Sequence, residues 1–259
     1  MGATVTSWDP NQYLKFADHR LRPALDLLGR IRADEPGSVY DLGCGAGNVT
    51  KLLAERWPKA RVTGVDSAMA MLEKARAAAP RIAFLRADLA AWRTDEPVNV
   101  IYSNAALHWL EAHDALFPRL MAQLAPGGTL AVQMPRNHRA ASHTSMLEAA
   151  EAGPWKAKLA GVASIRAVHD ADAYYRILAP LAARLDIWEC EYLQVLDGPN
   201  PVVEWTKGTA LRPYLDALDD AARKGFLAAY AERIAAAYPP QPDGKTLFPF
   251  RRIFIVAER

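Results

Sequence analysis

The chemistry this sequence offers is carried by three acidic side chains and three glycines. Asp41-Leu42-Gly43-Cys44-Gly45-Ala46-Gly47-Asn48 follows the apolar pair Val39-Tyr40 and leads into a helical pattern. Glycine at Gly43, Gly45 and Gly47 lets the backbone turn sharply, adopt positive φ and approach a ligand with no Cβ between. A helix beginning near Asn48 aims unpaired N–H groups into the same turn, so the stretch reads as a nucleotide-cofactor loop. It departs from the dinucleotide spacing G-x-G-x-x-G, because Gly47 comes one residue early and Asn48 stands where the third glycine belongs. A pyrophosphate would be repelled by Asp41, whereas the positively charged end of an amino acid could use it. Asp66 ends the strand-like run 61–65, and an acid at that strand tip accepts hydrogen bonds from both ribose hydroxyls. Ser67 is the expected N-cap of helix 68–79, which leaves the Asp66 carboxylate for a ligand. Asp88 follows the third strand-like run; it suits either an adenine amine or a turn in which it caps Ala90.

The order Asp41-x-Gly43-x-Gly45-x-Gly47 resembles motif I of class I S-adenosylmethionine-dependent methyltransferases. The resemblance implies that Asp41 serves the methionine ammonium side through the loop and that Gly43, Cys44, Gly45 and Gly47 surround the cofactor. Asp66 and Ser67 would then meet the ribose and Asp88 the adenine. Asn104 and Ala105, with Ala106, leave the fourth strand, and their small size leaves room for the sulfonium. His108 is the one side chain there with base chemistry; a lone histidine beside Trp109 reads first as a packed residue, so no general base is expected.

The elements that must position these groups alternate in β-α-β order. Strand 39–42 is followed by helix 48–57 up to Pro58, strand 62–65, helix 68–79 up to Pro80, and strand 82–86. Strand 98–103, helix 112–124, the turn Ala125-Pro126-Gly127-Gly128 and strand 129–134 complete five units, which implies a parallel sheet with right-handed crossovers. Ligands bind outside the strand carboxyl ends of such sheets, where every acid and glycine named above falls. Beyond Pro135 the alternation fails: 144–152, 170–179 and 202–237 read as helical, and 184–195 and 247–257 as strands. The expected fold is α/β: a Rossmann-like, seven-stranded, mostly parallel sheet with the last strand antiparallel, helices on both faces and a helical cap. One domain is expected over 1–259, with a lid arm over 1–30 and cap insertions at 136–183 and 197–246. Tyr13 and Arg20 in the arm either meet the cofactor's carboxylate or an anionic substrate, or belong to a segment packed over the sheet.

The chain has 259 residues, 51% hydrophobic and 23% charged, which suits such a domain with elaborations. A net charge of +2 gives no polyanion-binding field, so no nucleic acid is expected. No apolar run approaches the roughly 20 residues of a membrane span, and 1–10 lacks a signal peptide's segments; a cytoplasmic protein with no membrane partner is expected. Cys44 and Cys190 sit far from metal-ligand spacings, so reduced thiols and no metal are expected. A monomer or weak homodimer completes these expectations.

The opening Trp8-Asp9-Pro10 with Tyr13 and Phe16, the segment Asn104-Ala105-x-Leu107-x-Trp109-Leu110, Gln133-Met134-Pro135, Thr209-x-Leu211-Arg212-Pro213 and the ending Phe254-Ile255-Val256-Ala257 narrow the resemblance. Over nearly the whole chain these are similar to the trans-aconitate methyltransferase family. The resemblance implies a cytoplasmic enzyme esterifying one carboxylate of a small tricarboxylate with S-adenosylmethionine, leaving S-adenosylhomocysteine. Ala46 replaces the family's frequent proline in the glycine loop. Arginine pairs a carboxylate bidentately, so the remaining substrate carboxylates point to Arg20, Arg22, Arg136, Arg212, Arg251 or Arg252. Arg212 is ranked first, with Trp205 and Tyr214 expected to wall a dry pocket; Gln133 and Trp109 are the further substrate candidates. Alternatives are a methyltransferase for another small acid or a carrier-bound acyl group, and a non-catalytic S-adenosylmethionine-binding protein.

Overall fold

The computed structural model describes residues 21–162 and 168–259. Tyr13 and Arg20, with the rest of the expected arm up to residue 20, lie outside the described residues. Of that arm, residues 21–30 carry a helix packed on the sheet. Pro23 starts helix α1 (Arg22–Leu28) with its φ already fixed, and Ala24, Leu25, Leu27 and Leu28 are buried along one stripe. The Tyr102 hydroxyl donates to the Ala24 carbonyl at 2.8 Å, tying α1 to the sheet.

The sheet has seven strands: β1 (Ser38–Leu42), β2 (Arg61–Asp66), β3 (Ala83–Arg86), β4 (Val98–Asn104), β5 (Leu124–Pro135), β6 (Arg184–Leu196) and β7 (Thr246–Glu258). Their order is β3-β2-β1-β4-β5-β7-β6. Parallel pairing of β1 with β2 sets Val39 beside Val62, and pairing with β4 sets it beside Val100. β1 is buried at every residue but the half-buried Tyr40 because neighbours cover both its faces, the pattern of a central parallel strand. The chain winds outward through β2 and β3 and then returns to place β4 on the other side of β1. That reversal makes the carboxyl ends of β1 and β4 the switch point where such sheets bind ligands.

The expected turn at 125–128 lies within β5, where it bulges out of register. Val98 pairs with Leu124 but Val100 with Thr129, so the residues between loop away from β4. Pro126 cannot donate to the ladder, and Gly127 takes φ +74°. β7 runs antiparallel, as expected: Gly127 N–H donates to the Arg259 carbonyl, Arg259 N–H to Gly128, and farther along Arg136 N–H donates to Arg251.

Helices α2 (Asn48–Arg56), α3 (Met69–Ala78) and α4 (His113–Ala122) follow β1, β2 and β4. After β5 come α5 (Ala141–Ala152), α6 (Lys156–Leu159) and α7 (Ala171–Leu178), and between β6 and β7 come α8 (Pro201–Lys207), α9 (Arg212–Asp216) and α10 (Asp220–Ala237). Among the described residues, contacts divide the chain into two compact units. One holds 21–134, His169–Glu189 and Ile253–Arg259; the other holds Pro135–Val168 and Cys190–Arg252. The second overlaps the insertions expected at 136–183 and 197–246, except that 169–183, with α7, belongs to the first and that 190–196 and 247–252 join the second. Its own core gathers Met146, Trp155, Val202, Tyr214, Phe226, Tyr230 and Phe248. Asp219 caps α10 by accepting the Ala222 N–H.

Candidate functional site

The glycine loop is held by backbone bonds to the neighbouring strand. Gly43 N–H and Cys44 N–H both donate to the Val65 carbonyl, at 2.8 and 3.1 Å, and Gly47 N–H closes the turn on the Cys44 carbonyl. Gly43 has φ +80°, and a Cβ added there would lie 2.1 Å from the Ala106 Cβ; only glycine lets the segment after β4 lie on the loop. Gly45 has φ +54° and faces open space, with nothing within 4 Å of where a Cβ would stand. Gly47, in the left-handed region, begins α2 without a side-chain cap. The first N–H groups of that helix are therefore left for an electronegative partner.

Asp66 does more than wait for a ligand. One carboxylate oxygen accepts the Gly45 N–H at 2.8 Å and the other the Ala68 N–H at 2.9 Å. The expectation that Ser67 caps the helix is thus reversed. α3 starts at Met69, one residue later than the sequence pattern suggests, and Asp66 reaches two residues on to make the cap-like bond. Ser67 is exposed. Asp66 thereby couples the glycine loop to α3, with further lone pairs on its oxygens for ribose hydroxyls. Asp88 caps its own turn through Ala90 N–H at 2.9 Å, the second of its two expected roles.

Asp41 lies beneath the loop, 2% exposed, and accepts the Thr50 hydroxyl at 2.6 Å. Burial pushes its carboxyl up from 3.8 to about 7; the Asp66 charge adds to the rise, and the Thr50 bond opposes it. Cys44 points away from the loop's open side into an apolar cluster of Leu72, Ala75, Ala79 and Phe84. Burial first, then Asp41 and Asp66, push its thiol to about 12, so Cys44 offers the site backbone only.

Beside the loop, Asn104 ends β4 opposite Gln133 of β5. Ala105 turns the chain with φ +53°, and its N–H donates to the Gln133 carbonyl at 2.9 Å. Gln133 is fully buried in the sheet, while Trp109 is 47% exposed with its ring 4.8 Å from that of His108.

Among the described residues, no dry pocket of the kind expected encloses Arg212. The Arg212 side chain is 73% exposed and faces Asp216 one helical turn on, at 3.6 Å. Tyr214 is buried but stacks on Phe226, with ring centroids 5.6 Å apart, as part of its unit's core. Leu211 is buried and Pro213 half-buried, and the arginine between them points outward. Arg22 is exposed at the start of α1, and Arg251 faces Glu191 at 3.7 Å. Arg252 is the buried arginine of the second unit, 5% exposed, with its guanidinium 4.7 Å from the Phe250 ring centre. Arg136 follows directly on β5 and is half-buried.

Sequence reasoning missed Thr50, His113 and Tyr174. A threonine in the first turn of the helix after the loop was the available signal for Thr50. Nothing local marks the other two, because His113 and Tyr174 meet only through the fold, with Nδ1 and the phenol oxygen 2.6 Å apart.

Residues 39–128 match a family model described as a methyltransferase domain. The chain is 51% identical over 255 residues to the trans-aconitate 2-methyltransferase of Azoarcus sp. strain BH72, covering 98% of this chain and 100% of that protein. The chain belongs to the trans-aconitate 2-methyltransferase family. The family member of Rhodopseudomonas palustris strain BisB18 is 49% identical, with 98% of this chain and 99% of that protein covered. Among solved structures, the YcgJ protein of Bacillus subtilis superposes with a TM-score of 0.59 at 15% identity, over 93% of this chain and 99% of that one, a likeness of fold. The glycine loop, the Asp66 tip and the Asn104–Ala105 exit all leave the carboxyl ends of parallel strands, at one end of the sheet.

Proposed function

We propose that this chain transfers the methyl group of S-adenosylmethionine to a carboxylate of trans-aconitate, at the position given in its relatives' names. The full-length likeness to proteins so named carries the reading. The site's own geometry supports the cofactor: three left-handed glycines, the open space at Gly45 and an uncapped helix start fit a nucleoside bearing an amino acid.

Gly43, Gly45 and Gly47 hold the cofactor by backbone, Asp66 takes the ribose hydroxyls, Asp88 lies on the adenine side, and Asn104 and Ala105 lie beside the sulfonium. Asp41 acts from below, through Thr50 and the loop: once the methionine ammonium is bound, that cation favours the ionised carboxylate and Asp41 becomes its counter-charge. The bound cofactor supplies a methyl group made electrophilic by the sulfonium charge. The residues supply orientation. A carboxylate nucleophile, with an ordinary pKa of about 4, is already ionised at neutral pH and needs no base. Aligning it in line with the S–CH₃ bond is worth roughly 7 to 11 kcal/mol. Arg136 and Arg252 take over from Arg212 as the arginines for the substrate's other carboxylates, and Gln133 and Trp109 stay as the further substrate candidates. Carboxylates removed from water need such partners, and Arg252 is the guanidinium already withdrawn from solvent.

The reading is tested by incubating the protein with methyl-labelled cofactor and a panel of di- and tricarboxylates. Label is expected in a base-labile ester of trans-aconitate; label in every other acid but not in trans-aconitate would replace the substrate, and no transfer at all would leave a cofactor-binding protein.

A further inference from the structure

The segment after β4 holds an unusual backbone. Ala105 and Ala112 both occupy the left-handed region, with φ +53° each, and between them a short 3₁₀ turn spans Leu107–Trp109. Alanine in that region costs about 1 to 2 kcal/mol per residue and persists only where the surroundings impose it. The Ala105 bend is held in part by its N–H bond to Gln133. His113, the first residue of α4 and 5% exposed, reaches back into the same segment.

The imidazole bonds can be assigned from chemistry. Nε2 lies 3.0 Å from the Leu107 carbonyl oxygen, which only accepts, so Nε2 carries a proton. Burial lowers the histidine's pKa and favours the neutral ring. Nδ1 is then a bare lone pair, and it faces the Tyr174 hydroxyl at 2.6 Å, which must donate. Tyr174, from α7, therefore fixes the tautomer that allows Nε2–H to hold Leu107. The same Leu107 carbonyl also accepts the Leu110 N–H that closes the turn. The preceding residue, Ala106, is the one pressed against Gly43. A line of contact thus runs from Tyr174 through His113 and Leu107 to Ala106 and the glycine loop, within one compact unit.

We propose that His113 is a positioning residue for methyl transfer: its Nε2–H, directed by Tyr174, staples the 105–110 turn over Gly43 and so sets where the acceptor side of the site stands. The proposal rests on the methyltransferase reading. His113 touches neither reactant and exchanges no proton with them. Its effect is geometric, and misplacement of about 1 Å can cost on the order of a hundredfold in rate.

The test uses His113→Leu, His113→Gln and Tyr174→Phe in the full chain, with two readouts. The first is amide hydrogen exchange at Trp109 and Leu110 without cofactor; faster exchange is expected in the leucine variant. The second is kcat with both substrates saturating, which should fall at least tenfold in His113→Leu while KM for each substrate stays within threefold. Glutamine, whose side-chain N–H can reach the Leu107 carbonyl, should recover at least a third of the wild-type kcat, and Tyr174→Phe should lie between. A purely structural residue would instead lower thermal stability and leave the kcat of the folded protein unchanged. A folded His113→Leu protein with kcat within twofold of wild type, or a glutamine variant no better than leucine, overturns the proposal. If the leucine variant does not fold, Tyr174→Phe decides: a loss of threefold or more supports the staple, and an unchanged kcat overturns it. Should the wild type itself transfer no methyl group, the functional reading has failed, and unchanged exchange in the leucine variant would then refute the staple separately.

Discussion

The Thr50 hydroxyl donates to the buried Asp41 carboxylate at 2.6 Å, and that bond is too little to keep the acid ordinary: burial still pushes it up to about 7. The folded chain therefore holds this proton more tightly than the unfolded chain does. The sign follows from linkage. The stabilisation is fully present below about pH 4 and is lost as pH rises through about 7, a change on the order of 4 kcal/mol. Urea unfolding of the cofactor-free protein at pH 5 and pH 8 samples roughly 3 kcal/mol of it. Asp41→Asn, an isostere of the protonated acid, is expected to lose less stability than wild type between pH 5 and pH 8. Parallel curves for the two proteins would remove Asp41 as the source.

Asp66 joins two jobs, so its loss should show in two measurements. Asp66→Ala removes the acceptor for Gly45 N–H and Ala68 N–H. Cofactor affinity by calorimetry is expected to weaken by about 1.5 to 3 kcal/mol, the range for charge-assisted hydrogen bonds. Thermal stability should fall as well, by about 1 kcal/mol for the lost cap. A folded variant with full affinity would leave Asp66 as a structural acid alone.

The arginines can be sorted by exposure. Arg212→Lys, at a position 73% exposed, should leave KM for trans-aconitate within twofold. Arg252→Lys should raise it at least tenfold, equivalent to about 1.4 kcal/mol, with cofactor affinity unchanged. The opposite ranking would return the substrate to α9.

Because the acceptor arrives ionised, kcat should be level from about pH 6 to 9, and His108→Ala should keep a substantial rate. A thousandfold loss in a folded His108→Ala protein would instead be the behaviour of a base, and would point to a hydroxyl or amine acceptor.

The glycine loop and the five β-α units were legible because both rest on local rules, positive-φ spacing and apolar runs bounded by proline and glycine. The antiparallel β7 was legible from the break in alternation. Asp66 was misread in one respect: Asp66 and Ser67 are both good caps, and nothing local decides which of two neighbours takes the helix. Arg212 was misread because apolar neighbours in a sequence say where those neighbours go, not where the arginine goes. His113 and Tyr174 carry no local signature at all; their meeting is a product of α7 joining the first unit across a long stretch of chain.

The 2.1 Å approach between a would-be Cβ at Gly43 and the Ala106 methyl makes these two positions a single inherited unit. Any side chain gained at 43 must be answered by a loss at 106, so drift at either position is conditional on the other. Gly43→Ala alone should abolish cofactor binding, while Gly43→Ala with Ala106→Gly should regain the part due to collision and not the part due to φ +80°. The shortfall in that double-mutant cycle measures the left-handed backbone separately from the contact.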